Sequence, residues 1–144
     1  MYVDSPVIMI VDDDPHAHFF AKRALSKGAG IVQFKEYFNG RDAITSLRSA
    51  CSSGEAEVTH VLLDIAMPIM DGFEFLEAFE DLPRDCTKNI RVVLVSSSPN
   101  ISDHRRALQH DCVQAVFEKA LMPSDCPMIL GSMGPQGGVA YAAV

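Results

Sequence analysis

Four aspartates carry the chemistry this sequence suggests. Asp12, Asp13 and Asp14 follow the apolar run at residues 7–11, and Asp64 closes a second apolar run at residues 60–63. Carboxylates gathered in one crevice repel one another unless a cation neutralises them. Oxygen donors with no cysteine or histidine shell select a hard ion such as Mg²⁺ or Mn²⁺. A carboxylate can also attack phosphorus directly and form an acyl phosphate. Cationic and hydroxyl donors then stabilise the charge on the transferring phosphoryl oxygens. Ser96 ends a third apolar run, and Lys119 follows a fourth. These residue types together point to phosphoryl transfer onto an aspartate.

The elements that must position them follow from hydrophobic spacing. Residues 7–11 (VIMIV) form a continuous apolar run, which reads as a strand buried on both faces. Asp14-Pro15 has the form of a helix N-cap with proline at the first helical position. Ala17, Phe20, Ala21, Ala24, Leu25 and Gly28 recur at helical spacing, and Gly28 and Gly30 stop that helix. Residues 31–38 read as a second strand. Asn39-Gly40 allows a hairpin turn, but Ala43, Ile44, Leu47 and Ala50 recur at helical spacing, so strand, turn, helix is preferred. Residues 51–57 read as a loop and 60–64 as a third strand. Proline and glycine punctuate a loop at 67–72. Phe75, Leu76, Phe79 and Leu82 mark the next helix, and Phe73, Phe75 and Phe79 are core candidates. Strand 90–95, a polar helix at 101–111, strand 115–117 and a last helix capped by Ser124 and reaching Leu130 complete the pattern.

Five βα units in succession predict an α/β fold, a doubly wound five-stranded parallel sheet with helices on both faces. In such sheets the site lies at the carboxyl ends of the strands. Asp12–Asp14, Asp64, Ser96 and Lys119 all fall at those ends. Residues 1–130 are expected to form the domain. Residues 131–144, which hold four of the nine glycines, are expected to form a flexible or irregular tail.

Composition narrows the class. A chain of 144 residues suits one domain, and the 48% apolar, 22% charged balance is that of a globular protein. Its formal charge of −7 argues against direct nucleic-acid binding through phosphate neutralisation. No apolar run approaches the ~20 residues that span a bilayer, and the N-terminus lacks a signal-peptide pattern. A cytoplasmic protein without membrane insertion is expected. Cys51, Cys86, Cys112 and Cys126 form no zinc pattern and read as reduced thiols. His16 and His18 lie two apart on the predicted helix and do not share a face, so neither is expected to bind metal. His104, Arg105 and Arg106 read as a solvated face or a partner surface.

VIMIVDDDPH, VLLDIAMPIMDGFEFL, VVLVSSS and FEK together resemble the receiver domain of two-component response regulators, over about residues 5–125. The resemblance implies a (βα)5 flavodoxin-like fold of the stand-alone, chemotaxis-regulator-like type. It implies that Asp64 is the phosphoacceptor. It implies a metal site made by Asp12, Asp13, Asp64 and the backbone carbonyl of Ala66. Ser96 would be the switch hydroxyl, Ser97 the small neighbour that leaves room beside it, and Lys119 the cation that pairs with a phosphoryl oxygen. Met67-Pro68 and Asp71-Gly72 would shape the wall beyond the acceptor. A sensor histidine kinase or histidine phosphotransfer protein would be the donor, and an unnamed downstream protein the recipient. No effector domain fits in the remaining residues, so output by protein contact or onward transfer is expected. The chain would be a regulatory phosphoacceptor, not a metabolic enzyme.

Two positions depart from the family pattern. Val116 stands where an aromatic residue usually precedes the lysine by three, with Phe117 facing the opposite way by strand alternation. Ala120 stands where proline usually follows the lysine in a cis bond. A cis bond before a non-proline residue costs ~3 kcal/mol, so a trans bond, or a shifted loop involving Pro123, is expected. Ala66 and Ser98 offer no carboxylate or amide to position water, which predicts slow self-dephosphorylation. Two other readings stay open. One is a pseudo-receiver that binds partners without phosphate. The other is an aspartate-nucleophile phosphohydrolase of the haloacid dehalogenase type, whose D-x-D-x-[TV] pattern fails here at His16.

Overall fold

The computed structural model describes residues 6–30, 32–55, 57–97, 100–130 and 140–141. Five parallel strands form the sheet: β1 (Val7–Val11), β2 (Gln33–Tyr37), β3 (His60–Leu63), β4 (Arg91–Ser96) and β5 (Val113–Glu118). Their order across the sheet is β2-β1-β3-β4-β5. The reversal at β1 makes the sheet doubly wound, as the alternating pattern predicts. Flanking it are α1 (Pro15–Ala29), α2 (Gly40–Ser53), α3 (Gly72–Glu80), the single turn α4 (Arg84–Thr87), α5 (Ile101–Leu108) and α6 (Cys126–Leu130).

Strand alternation divides the core in two. Met9, Val11, Val61, Leu63, Leu94 and Val116 face α2, α3 and α5. Ile8, Ile10, Leu62, Val93, Val95 and Phe117 face α1 and α6. Val116 and Phe117 therefore lie on opposite faces, as expected. Phe73, Phe75 and Phe79 are all buried. β1, β3 and β4 are buried along almost their whole length, because both of their faces are covered. At Gly28, α1 packs directly against the C-terminal segment. A Cβ there would lie 2.7 Å from the Pro123 carbonyl oxygen.

Several expectations are corrected. α2 continues through Ser53 into the expected loop, and ends at Gly54 in the left-handed conformation (φ 75°). The preferred strand, turn, helix reading holds at Asn39-Gly40, where the Asn39 side chain caps α2 by accepting from Asp42 N–H at 2.8 Å. Ser124 does not cap the last helix. Pro123–Asp125 form a 3₁₀ turn that leads into α6, and Asp125 accepts from Met122 N–H at 2.9 Å. His104 is buried rather than solvated, and Arg106 lies over the Phe73 ring at 3.9 Å. Phe20, placed on the apolar stripe of α1, is 46% exposed at the margin of that stripe.

Most of the expected tail, residues 131–139 and 142–144, lies outside the described residues, as do Ile31, Ser98 and Pro99. Ala140–Tyr141 is not irregular. It pairs in parallel with β5, Ala115 opposite Ala140 and Val116 opposite Tyr141, as a two-residue β6. An outer strand leaves a row of unpaired main-chain groups, and β6 meets part of that row.

Candidate functional site

Each site residue stands where a strand stops. β1 ends at Val11 and the chain turns at once. Asp12 N–H donates to the Tyr37 carbonyl at 3.1 Å, and Asp12 Oδ1 accepts from Asp14 N–H at 2.9 Å. Asp14 turns away from the cleft to cap α1, accepting from His16 N–H at 2.9 Å. That bond holds the Asp14 carboxyl below its ordinary range. Asp64 follows β3, and its N–H donates to the Val11 carbonyl at 3.0 Å. This links the ends of β1 and β3 directly.

The β3–α3 loop is shaped from both sides. Ile69 has φ of 71° and sits inside a tight turn closed by Met70 N–H to the Pro68 carbonyl at 2.7 Å. A β-branched residue there is an outlier. Asp71 and Glu74 form a reciprocal cap at the start of α3, with bonds of 2.8 and 2.9 Å. Gly72 lies against the acceptor strand. Its N–H donates to the Ile65 carbonyl at 2.8 Å, and a Cβ on it would stand 2.6 Å from the Asp64 carbonyl oxygen. Only glycine fits that approach.

Carboxylate oxygens of Asp12, Asp13 and Asp64 come within 4.8 Å of one another. Asp12 and Asp64 are 4% and 6% exposed, whereas Asp13 faces solvent. Lys119 Nζ lies 2.7 Å from Asp12 Oδ2 and 3.6 Å from Asp64 Oδ1. Burial pushes the Asp64 carboxyl up to about 6; the neighbouring Asp12 charge adds to this, and Lys119 opposes it. Burial works to lower Lys119, but its hydrogen bond to Asp12 and the Asp64 charge outweigh it, and its ammonium is held above the ordinary range. The three carboxylates, when ionised, keep two excess negative charges after pairing to Lys119, and such a charge-dense set of oxygens fits a hard divalent cation. Among the described residues no other group of three acids, histidines or cysteines could hold a metal.

The other predicted residues fall around this cluster. Ser96 ends β4 and is 1% exposed; its carbonyl accepts from Lys119 N–H at 3.1 Å, which ties the lysine to the hydroxyl's strand. Ser97 and Ala66 are exposed at the rim. The Lys119–Ala120 peptide is cis, which corrects the trans expectation. That expectation weighed only the local preference of a non-proline bond. In the fold the loop runs between two anchored points, Lys119 on Ser96 and the buried Leu121. Pro123 stays beyond it, in the 3₁₀ turn. An apolar hollow extends below the acids, with Phe20, Ile10 and Leu121 in its walls.

His18 has no functional role by helical spacing alone. In the fold it is 2% exposed and its ring reaches the Asp12 carbonyl at 2.8 Å. A signal was present: His18, Ala21 and Leu25 share helical spacing, which places the histidine on the buried face of α1. His16 is exposed and pairs with Asp14 instead. All four cysteines are free thiols.

Comparison with known proteins agrees with this geometry. A curated relative, the probable cyclic di-GMP phosphodiesterase of Vibrio cholerae serotype O1, is 28% identical over 116 residues, 81% of this chain. The chain spans 24% of that relative's length. A response regulator receiver protein from Dyadobacter fermentans is 28% identical, with a TM-score of 0.70 over 81% of this chain and 88% of that one. A two-component response regulator from Cytophaga hutchinsonii has a TM-score of 0.75 at 22% identity, over 85% of this chain and 91% of that one. The model of the response regulator receiver domain matches residues 8–125, which take in all five parallel strands save Val7 and every acid of the cluster, and the chain belongs to that family.

Proposed function

We propose that this chain is a phosphoacceptor switch in a two-component phosphorelay. Asp64 takes a phosphoryl group from a phosphohistidine of a sensor histidine kinase or histidine phosphotransfer protein. The observation that carries this reading is the meeting of Asp12, Asp13 and Asp64 within 4.8 Å, with Lys119 Nζ 3.6 Å from Asp64. Asp12, Asp13, Asp64 and the Ala66 carbonyl would hold Mg²⁺ or Mn²⁺. When bound, the ion supplies charge neutralisation for the phosphoryl oxygens.

The protein's own groups do the rest. An Asp64 carboxylate oxygen attacks phosphorus, the phosphorus–nitrogen bond of the phosphohistidine breaks, and the imidazole leaves with the bonding pair. Lys119 pairs with a phosphoryl oxygen, exchanging part of its contact to Asp12. The Ser96 hydroxyl donates to another oxygen, and small Ser97 leaves room beside it. Ser96 moving toward the phosphoryl group biases the β4–α5 loop and α5 between two arrangements. A downstream protein reads that change, so the chain is a regulator and not a metabolic enzyme. Exposed Phe20 beside the cleft gives a donor an apolar contact. Free thiols and the absence of a membrane-spanning helix among the described residues are compatible with a cytoplasmic site of action. Asp14 caps α1 rather than facing the cleft with Asp12, which speaks against the phosphohydrolase reading.

The test is intact mass after incubation with Mg²⁺ and acetyl phosphate. Wild type should gain the mass of one phosphoryl group, chelator should block the gain, and Asp64→Asn should abolish it. A gain that survives Asp64→Asn would move the acceptor to another acid. No gain in wild type would leave an interaction module that does not use phosphate.

A further inference from the structure

The carbonyl of Asp12 is the first main-chain carbonyl beyond β1, at the point where the strand gives way to the acidic turn. His18, one turn into α1, meets it from below with Nε2 at 2.8 Å. Its Nδ1 lies 3.1 Å from Glu36 Oε1, on β2. Both partners are acceptors, and each stands within hydrogen-bond reach of one ring nitrogen. Glu36 is itself held by Lys22, whose Nζ reaches Oε2 at 3.0 Å. The Phe38 ring stacks on the imidazole, with centroids 4.3 Å apart and planes 22° from parallel. With the ring buried and clamped from three sides, its reach to Asp12 is set by α1 and β2, not by its own rotamer freedom.

We propose that His18 is a positioning residue for the cation site: by holding the Asp12 carbonyl it sets the turn that presents Asp12 and Asp13 to Asp64. Asp12 N–H is fixed on Tyr37 at 3.1 Å, and His18 holds the next peptide through the Asp12 carbonyl, so both peptide units flanking the Asp12 Cα are anchored. This inference rests on reading the acidic cluster as a divalent-cation site. Groups that orient metal ligands without touching the ion affect affinity by about 10- to 100-fold.

The experiment measures Mn²⁺ binding by electron paramagnetic resonance, together with the Mg²⁺ concentration for half-maximal phosphorylation by acetyl phosphate. His18→Leu should weaken Mn²⁺ about tenfold and raise the half-maximal Mg²⁺ by the same factor. The rate at saturating Mg²⁺ should stay unchanged. His18→Gln, which keeps a donor, should recover most of the affinity. Glu36→Gln, which leaves the imidazole in place but loosens its anchor, should show a smaller loss in the same direction. It also keeps the test decisive if His18→Leu does not fold. Wild-type affinity in both His18→Leu and Glu36→Gln would overturn the proposal and leave the cation site standing. Affinity lost only in step with the unfolding midpoint, without rescue by His18→Gln, would make His18 purely structural and also overturn it. Failure of wild type to bind Mn²⁺ would overturn this proposal and the cation-site reading together.

Discussion

Asp64 is a buried carboxylate beside a second one, and both circumstances oppose its ionisation. Its carboxyl titrates near 6 in the fold against 3.8 ordinarily. A carboxyl raised by folding contributes stability that is fully present below the ordinary value and lost as pH rises through the folded one. With chelator present, the ionised group at neutral pH therefore costs about 2 to 3 kcal/mol. Asp64→Asn should raise the unfolding midpoint of the metal-free protein at neutral pH, and the gain should vanish near pH 4. Thermal melts of both forms across that range check this. An unchanged midpoint at neutral pH would mean that Lys119 neutralises Asp64 more fully than the 3.6 Å separation suggests.

At the scale of elements, the junction between β3 and α3 sets the wall of the site through two adjacent residues with separable roles. Asp71→Ala removes the reciprocal cap of α3 and should cost about 1 kcal/mol. The acceptor should stay where it is, so phosphorylation by acetyl phosphate should proceed at close to the wild-type rate. Gly72→Ala should cost about 1 to 3 kcal/mol, because the new Cβ would meet the Asp64 carbonyl oxygen at 2.6 Å. It should also slow phosphorylation, since relief requires the acceptor's own backbone to shift. Denaturant unfolding alongside a phosphorylation time course separates the two. Equal slowing in both variants would show that the helix cap, not the close approach, sets the acceptor.

For the whole molecule, two buried groups at opposite ends of β3 answer acid in opposite senses. Burial, aided by Arg91, pushes His60 down to about 4, while the Leu130 carbonyl pulls the other way. A histidine lowered by folding contributes stability that is present above its ordinary 6.5 and lost as pH falls toward the folded value. Over the same interval Asp64 contributes more as pH falls. The two effects offset one another in the metal-free protein. His60→Gln should remove one of them, so its unfolding midpoint should rise, relative to wild type, as pH falls from 6.5 to 4. Parallel curves for the two proteins would show that His60 is protonated in the fold.

The alternation of strands and helices, the strand ends that carry Asp12, Asp13, Asp64, Ser96 and Lys119, and the family those residues resemble can all be read along the chain. These were legible because strands buried on both faces read as continuous apolar runs, and because a doubly wound sheet sends every strand end to one edge. The packed fold alone sets what depends on contacts between distant segments. It made Lys119–Ala120 cis between anchors on Ser96 and Leu121. It brought His18 under Asp12 through partners eighteen and twenty residues further along the chain, Glu36 and Phe38. Local spacing specifies which face of an element a side chain takes, whereas the group it meets there is set by how whole elements pack.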